Sequence, residues 1–412
     1  MPSSPSTPAG RSAATPLGPH TLLLMAIACG LCAGANYFNQ PLLNSIRQHL
    51  QLSEAATSAL VTCAQVSYAF GLLLLVPLGD MLERRRLVLT LMLLAALGLL
   101  LSAASAWLPA AYPVLVLGTL MTGLFSVAAQ VLVPMASALV PADRSGRAVG
   151  FVMSGLLTGI LLSRTVAGVL SGIGGWHTVY WVGGLAVAAV ALLLARALPA
   201  SRNTGPALSY GQVLRTMGGL LRTLPRLRSR TLLGALAFAS VSVLFSTMAL
   251  MLAGPAHGLS DVAIGLIGLS GVAGALMANV TGRLIDQGRE RQVTAFAALL
   301  LVAGWLPLWL GQASLTMFLL GMLVVDLALQ GVHIANQNVV YALAPQARSR
   351  INACYMTGYF IGASSGSAIG AFAWAHGGWT GACTAGALLA LANLAALAWD
   401  RRLGAQAQRA AA

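Results

Sequence analysis

Lysine is absent from this chain of 412 residues, only nine residues carry a carboxylate, and charged side chains make up 8% of the total. Soluble chains run at about 25% charged residues, so a water-soluble globular reading is excluded. Cysteine is also scarce: Cys29, Cys32, Cys63, Cys354 and Cys383 all fall in apolar runs, where they act as small hydrophobes and no disulfide is expected. Cys29 and Cys32 form a C-x-x-C, but within an apolar run and without the strand–helix setting of a redox motif. No H-E-x-x-H, Walker loop, metal-spaced Cys/His cluster or Gly-x-Ser-x-Gly occurs, so ATP-driven transport and intramembrane hydrolysis have no residues to carry them. No enzyme, cofactor or metal is expected.

What the chain has instead is apolar length. Its residues are 58% hydrophobic, and its mean hydropathy is +0.82. A bilayer core asks for about 20 apolar residues per helical span. Twelve stretches meet that length: 21–43, 56–79, 87–107, 113–139, 149–172, 178–198, 231–253, 260–282, 292–311, 315–341, 351–375 and 378–399. The runs are continuous rather than alternating, which predicts helices and not a membrane barrel. The first is too long for a cleaved signal and is expected to remain as a helix.

The basic residues are all arginine, and their placement explains a charge of +14 without nucleic acid. Counting spans from a cytoplasmic N-terminus, 21 of the 23 arginines lie in the tails and even-to-odd loops; Arg47 lies in an opposite loop and Arg164 within a span. The positive-inside rule then predicts both termini in the cytoplasm.

The chain repeats at an offset of about 205 residues. Leu78-Gly79-Asp80 before an arginine cluster matches Leu284-Ile285-Asp286 before Arg289 and Arg291, and Gly174-Gly175-Trp176 matches Gly377-Gly378-Trp379. Six spans per half is an even number, so the halves enter the membrane in the same sense, as parallel repeats with a cleft between them. The expected organisation is a disordered tail (1–20), a first six-helix half (21–198), a cytoplasmic linker (199–230), a second half (231–400) and a short tail (401–412). In the linker, Tyr210, Val213, Leu214, Met217, Leu220 and Leu221 recur at helical spacing beside Arg215 and Arg222, which predicts an amphipathic helix on the inner leaflet.

On the loop motif at Leu78, Gly79, Asp80, Arg84 and Arg85, with its looser copy at Gly282, Leu284, Asp286 and Arg291, the chain resembles the major facilitator superfamily, in its drug-efflux-like branch. The similarity covers roughly 20–400. It departs at Val76, Met81 and Glu83, has no arginine in the fourth span, and lacks the Gly-Pro of the antiporter signature in the fifth. The resemblance implies the all-α major facilitator fold of twelve transmembrane helices in two parallel six-helix repeats. It further implies a bacterial inner membrane, and a conformational latch formed by Asp80, Arg84, Arg85 and Asp286. Proton-coupled efflux of a small organic solute is the activity it suggests, with small-anion uptake, uniport or a non-cycling membrane sensor as alternatives. Membrane lipid, the solute and protons are the expected partners, nucleic acid is not, and a monomer suffices.

Two charges stand well inside the expected spans, Arg164 in the fifth and Asp326 in the tenth, at similar depth. Such groups cost about 2.5–3.5 kcal/mol each even on a lenient insertion scale. They are expected either to pair across the cleft or to face it separately, Asp326 carrying a proton or contacting a cation and Arg164 binding an anion. Asp326, Gln330, His333 and Gln337 follow i, i+4, i+7 and i+11 and so share one helix face. Asn36, Asn39 and Gln40 in the first span, and Thr119, Thr122, Ser126 and Gln130 in the fourth, supply further polar faces. For the serines and threonines, helix-to-helix hydrogen bonding is the expected use. Gly155-x-x-x-Gly159 and the small residues from Gly362 to Ser367 predict close helix packing.

Overall fold

The computed structural model describes residues 18–141, 144–201, 209–270, 281, 283–285, 287–344 and 348–411; the side chains at 80, 145, 146, 270, 348, 349 and 405–411 are outside the description. Helix dominates, with no strand among the described residues. Ten helices there are long and apolar enough to cross a membrane. One of them, Arg350–Gly404, is 55 residues long and bends at Gly378, whose φ of 54° ends one helix and starts the next, so it supplies the eleventh and twelfth spans. Of the expected eighth span, Asp261–Ile267 and Gly268–Ser270 are described as helical elements, while 271–280 and 282 lie outside the described residues.

We label the elements used below α1 (Pro19–Ala35), α2 (Leu43–Leu50), α3 (Glu54–Leu74), α4 (Arg84–Ala104), α5 (Ala111–Phe125), α6 (Ala128–Ala138), α7 (Ser145–Gly174), α8 (Trp176–Ala197), α9 (Tyr210–Thr223), α10 (Pro225–Ala253), α11 (Asp261–Ile267), α12 (Glu290–Ala303), α13 (Trp305–Leu310), α14 (Leu315–Leu343) and α15 (Arg348–Ala411).

The internal repeat reappears in the packing. Gly175 has φ 87° and Gly378 φ 54°, and each precedes a buried tryptophan, Trp176 or Trp379. A left-handed residue closes the hairpin in both halves, and only glycine enters that region without a Cβ penalty. The close helix pairs also correspond. A Cβ at Gly159 would run into the backbone of Gly30, and one at Gly155 into that of Ala26. In the second half, Cβ atoms at Gly362 and Gly366 would run into the backbones of Ala235 and Ala239. Without a hydrophobic force between helices in lipid, such backbone approach is what holds them together.

The halves differ in one respect that matters for the cleft. The first and fourth spans are broken near mid-length. After Ala35, Tyr37 N–H bonds to Gly34 O (2.9 Å) and Leu42 N–H to Asn39 O (3.1 Å), a tighter i→i+3 pattern, because Pro41 has no N–H to continue the α-helical ladder. The fourth span breaks between α5 and α6, with Gln130 N–H on Val127 O at 2.8 Å. Their second-half counterparts, α10 and α14, run unbroken for 29 residues each.

Two expectations change. The seventh span starts at Pro225 rather than 231, because Pro at the first helical position needs no hydrogen bond there. That takes Arg230 into the helix, 2% exposed, where it binds Asp400 and Glu290, each at 2.7 Å; Arg226 joins Asp400 at 3.1 Å, and Ser229 Oγ donates to it at 2.5 Å. Arg164 and Asp326 are therefore not alone among charges within the spans. The linker helix α9, expected on the leaflet, turns its apolar side to protein. Val213 and Met217 are buried, Tyr210 Oη donates to Leu74 O in the first half (2.9 Å), and Cys354 Sγ of the second half approaches Met217 O (3.6 Å).

Candidate functional site

Between the halves lies a cavity of about 720 Å³. At one extreme its walls include Arg164, Phe245 and Asp326; at the other they include Gly79, Arg84, Met217, Tyr341 and Arg350. It thus reaches from mid-bundle to the end that carries the arginine loops.

The tenth-span face forms as the spacing predicts: Asp326, Gln330, His333 and Gln337 all line the cavity. His333 Nδ1 lies 3.0 Å from Tyr355 Oη, and its ring rests on Tyr359, centroids 4.6 Å apart. Gln337 Nε2 makes a long sulfur contact, 4.0 Å to Met356.

Arg164 enters the same cavity from α7. Its Nε donates to Gln40 Oε1 at 2.7 Å, and its guanidinium carbon stands 3.9 Å from the centroid of Phe245 and 5.2 Å from that of Tyr37. The rings cover the flat face of the cation, a favourable arrangement once water is excluded. No nitrogen of Arg164 comes within 4.0 Å of an oxygen of Asp326. Of the two arrangements expected, the halves bring the charges to one cavity without joining them. Among the described residues neither the terminal nitrogens of Arg164 nor the carboxylate of Asp326 has a hydrogen-bond partner.

The remaining candidates separate by position. Asn36 and Gln130 line the cavity, and Gln130 Nε2 donates to Tyr68 Oη at 3.3 Å. Gln40 is buried behind Arg164 and holds it; Asn39 is buried away from the cavity wall. Thr119, Thr122 and Ser126 are buried and do not line it: Thr122 packs on Gly98. Of the latch residues, Arg84 donates from Nε to Gly79 O at 3.0 Å and lines the cavity. Arg85 donates to Ala195 O. Asp286 and the side chain of Asp80 lie outside the described residues.

Glu83, where the family resemblance leads one to expect glycine, caps α4: it accepts from Arg85 N (2.9 Å), Arg86 N (3.0 Å) and Ser201 N (3.0 Å). Burial pushes its carboxyl up, but those three N–H donors and the nearby Arg86 charge outweigh it and hold the group below the ordinary 4.5.

Sequence reasoning missed the aromatic wall. Tyr68 and Phe360 meet from opposite halves with centroids 4.4 Å apart, and Phe238 stacks on Tyr359 at 4.3 Å; all four line the cavity. Asn352, Met356, Tyr359 and Phe360 recur at helical spacing in the eleventh span, a periodicity that had the signal.

At the arginine-poor end the halves touch directly. Asp261 Oδ2 accepts from Ser45 Oγ (2.5 Å) and Ser171 Oγ (2.7 Å). Thr165 Oγ1 donates to Gly265 O (2.9 Å), and a Cβ at Gly168 would strike the Asp261 backbone. Thr62 and Ser367 hydroxyls lie 2.9 Å apart, and Trp374 Nε1 donates to Glu54 Oε2 (2.6 Å).

The comparisons agree with this architecture. The chain is 49% identical over 385 residues to the uncharacterized transporter YgaY of Escherichia coli O157:H7, covering 93% of this chain and 96% of that one. It is 33% identical over 410 residues to a probable transporter of Streptomyces coelicolor, covering 95% and 93%, and 38% identical over 179 residues to a chloramphenicol resistance protein of Streptomyces lividans, covering 41% and 43%. The crystal structure of the nucleoside transporter NupG has the same fold, with a TM-score of 0.74 at 14% identity over 93% of this chain and 99% of that one. The sequence model of the Major Facilitator Superfamily matches residues 25–324 and again 231–412. With two six-helix repeats around a cleft, a family model matching both halves and relatives of matching length that are named as transporters, this chain belongs to the major facilitator superfamily of multi-pass membrane transporters.

Proposed function

We propose that the protein moves a small organic solute out of a bacterial cell by alternating access, exchanging it for protons at Asp326. What carries this reading is the asymmetry of the cleft. The cavity reaches the arginine-rich end, while the opposite end is closed by direct hydrogen bonds between the halves. With the arginines in the cytoplasm, as the positive-inside rule has it, this is the inward-open state, and rocking of the halves about the buried site gives the outward-open one. Among the described residues Asp326 is the one carboxylate lining the cavity, so it is the group on which proton and solute binding can compete. A relative named a probable sugar efflux transporter, in Helicobacter pylori, 25% identical over 80% of this chain, supports the outward direction. Arg84, with its neighbours, works as the latch of the alternate state, and a monomer in the inner membrane with both termini cytoplasmic completes the reading.

The test is proton movement in everted membrane vesicles energised to be acid inside, with a broad compound panel added to wild type and to Asp326→Asn. A compound that releases protons only from wild-type vesicles supports the exchange. Proton release that is equal in the two would refute it. The cationic rim of Arg84 and Arg350 on the cavity favours a second reading, entry of a small anion held by Arg164; it predicts accumulation in intact cells instead.

A further inference from the structure

The substrate class is written in the two charges the cavity leaves unjoined. Arg164 is 6% exposed. Its Nε is bound by Gln40 and its face is covered by Phe245, so the terminal N–H fork is the part left for a ligand. Such a fork matches a carboxylate in two parallel hydrogen bonds. Across the cavity Asp326 presents an acceptor with no donor among the described residues. Each charge, taken out of bulk water and unpaired, is costly, and the cost is relieved only by a partner of opposite sign. A solute with a carboxylate alone satisfies Arg164 and places its anion near Asp326. A solute with an amine alone does the reverse. A solute with both satisfies both, and its net charge is zero, matching the sum of the two side chains.

The rest of the cavity fixes the body of such a solute. Tyr68, Phe360, Phe238 and Tyr359 form a continuous wall drawn from both halves, suited to a flat apolar group that stacks on it. We propose that the site takes an amphipathic zwitterion, its carboxylate on the Arg164 fork, its ammonium on Asp326 and a flat apolar body against the aromatic wall. The proposal rests on the exchange reading above and deepens it: the ammonium and the transported proton claim the same carboxylate, so loading one expels the other, and antiport follows from the site's own chemistry.

The test uses the purified full chain in nanodiscs and one scaffold with four charge states: naphthylalanine, its amide (no carboxylate), its N-acetyl derivative (no amine) and its N-acetyl amide (neither). Equilibrium binding is measured by calorimetry. The expected result is at least tenfold tighter binding of naphthylalanine than of each other probe. In Arg164→Gln the preference over the amide should collapse to within about twofold, and in Asp326→Asn the preference over the N-acetyl derivative should do the same. Ratios between probes are unaffected by the fraction of a variant that folds. Equal binding of all four probes, binding of none, or preferences that survive both substitutions would overturn the proposal. Because binding is read without flux, a protein that selects the zwitterion yet moves no protons in vesicles sinks the exchange reading and leaves the substrate class standing.

Discussion

Replacing Asp261 by alanine should tip the protein toward the state opened at its arginine-poor end. In the structure, Ser45 and Ser171 of the first half both donate to Asp261 Oδ2 of the second half, so the carboxylate ties the halves only while that end is closed. A hydrogen bond to a charged group contributes about 1.5–3 kcal/mol. Both serines share one oxygen, and water replaces them on opening, so the pair is worth about 3 kcal/mol rather than twice that, roughly a hundredfold in the ratio of closed to open states. Asp261→Asn keeps an acceptor but loses the charge, and should shift the ratio by about tenfold. The assay is double electron–electron resonance between spin labels at Gln48 and Ala256, exposed positions on opposite halves at that end, with the five native cysteines replaced. Wild type should give a short distance, the alanine variant a longer one, and the asparagine variant a mixture. If the alanine variant kept the wild-type distribution, the hydrogen bonds to Asp261 would not be what holds this end shut.

Other substitutions test other levels. Gly159→Val should destabilise by about 1–3 kcal/mol or more, because its Cβ meets Gly30 backbone that cannot yield cheaply; Gly150→Val, with nothing within 4 Å, should leave the melting temperature in detergent unchanged. Asp400→Asn should cost about 3 kcal/mol, since it strips a buried partner from Arg230, and more than Glu290→Gln, whose carboxylate is 19% exposed; equal thermal shifts would mean that burial does not set the cost. Glu83→Gln should loosen the start of α4 by about 0.5–2 kcal/mol, visible as faster amide exchange at Arg85 and Arg86. Because the folded Glu83 carboxyl titrates below its unfolded value of 4.5, its contribution is present above that pH and is lost as pH falls through the folded value. The wild-type advantage over the variant should therefore shrink on acidification.

Much of the site could be read before any tertiary contact was known, because membrane insertion makes polarity informative. Asp326, Gln330, His333 and Gln337 had to share a face by helical geometry, and lipid cannot solvate such a stripe. The same logic found Arg164. It gave no means to tell Asn36 and Gln130, on the cavity wall, from Asn39 and Thr122, buried between helices: a polar residue in a span must avoid lipid, and both places satisfy that demand. The aromatic wall escaped notice because Tyr68, Phe238, Tyr359 and Phe360 are apolar enough to face lipid or core as readily as a cavity.

What the sequence determined by itself was the class: apolar runs of bilayer length, 21 of 23 arginines in the tails and alternate loops, and a repeat that doubles six helices into twelve. These are properties of a chain in a solvent, and they need no fold to act. What only the tertiary structure decided was which ends meet. Arg230 reads as a loop arginine until Pro225 starts its helix early and Asp400, 170 residues away along the chain, closes on it. The linker helix reads as a membrane-surface helix until Leu74 of the first half and Cys354 of the second place it on protein. Arg164 and Asp326 share a cavity without touching because Gln40, brought round by the break at Pro41, holds the guanidinium. Pairing across such distances depends on how the two halves are packed against one another, and no local pattern records that.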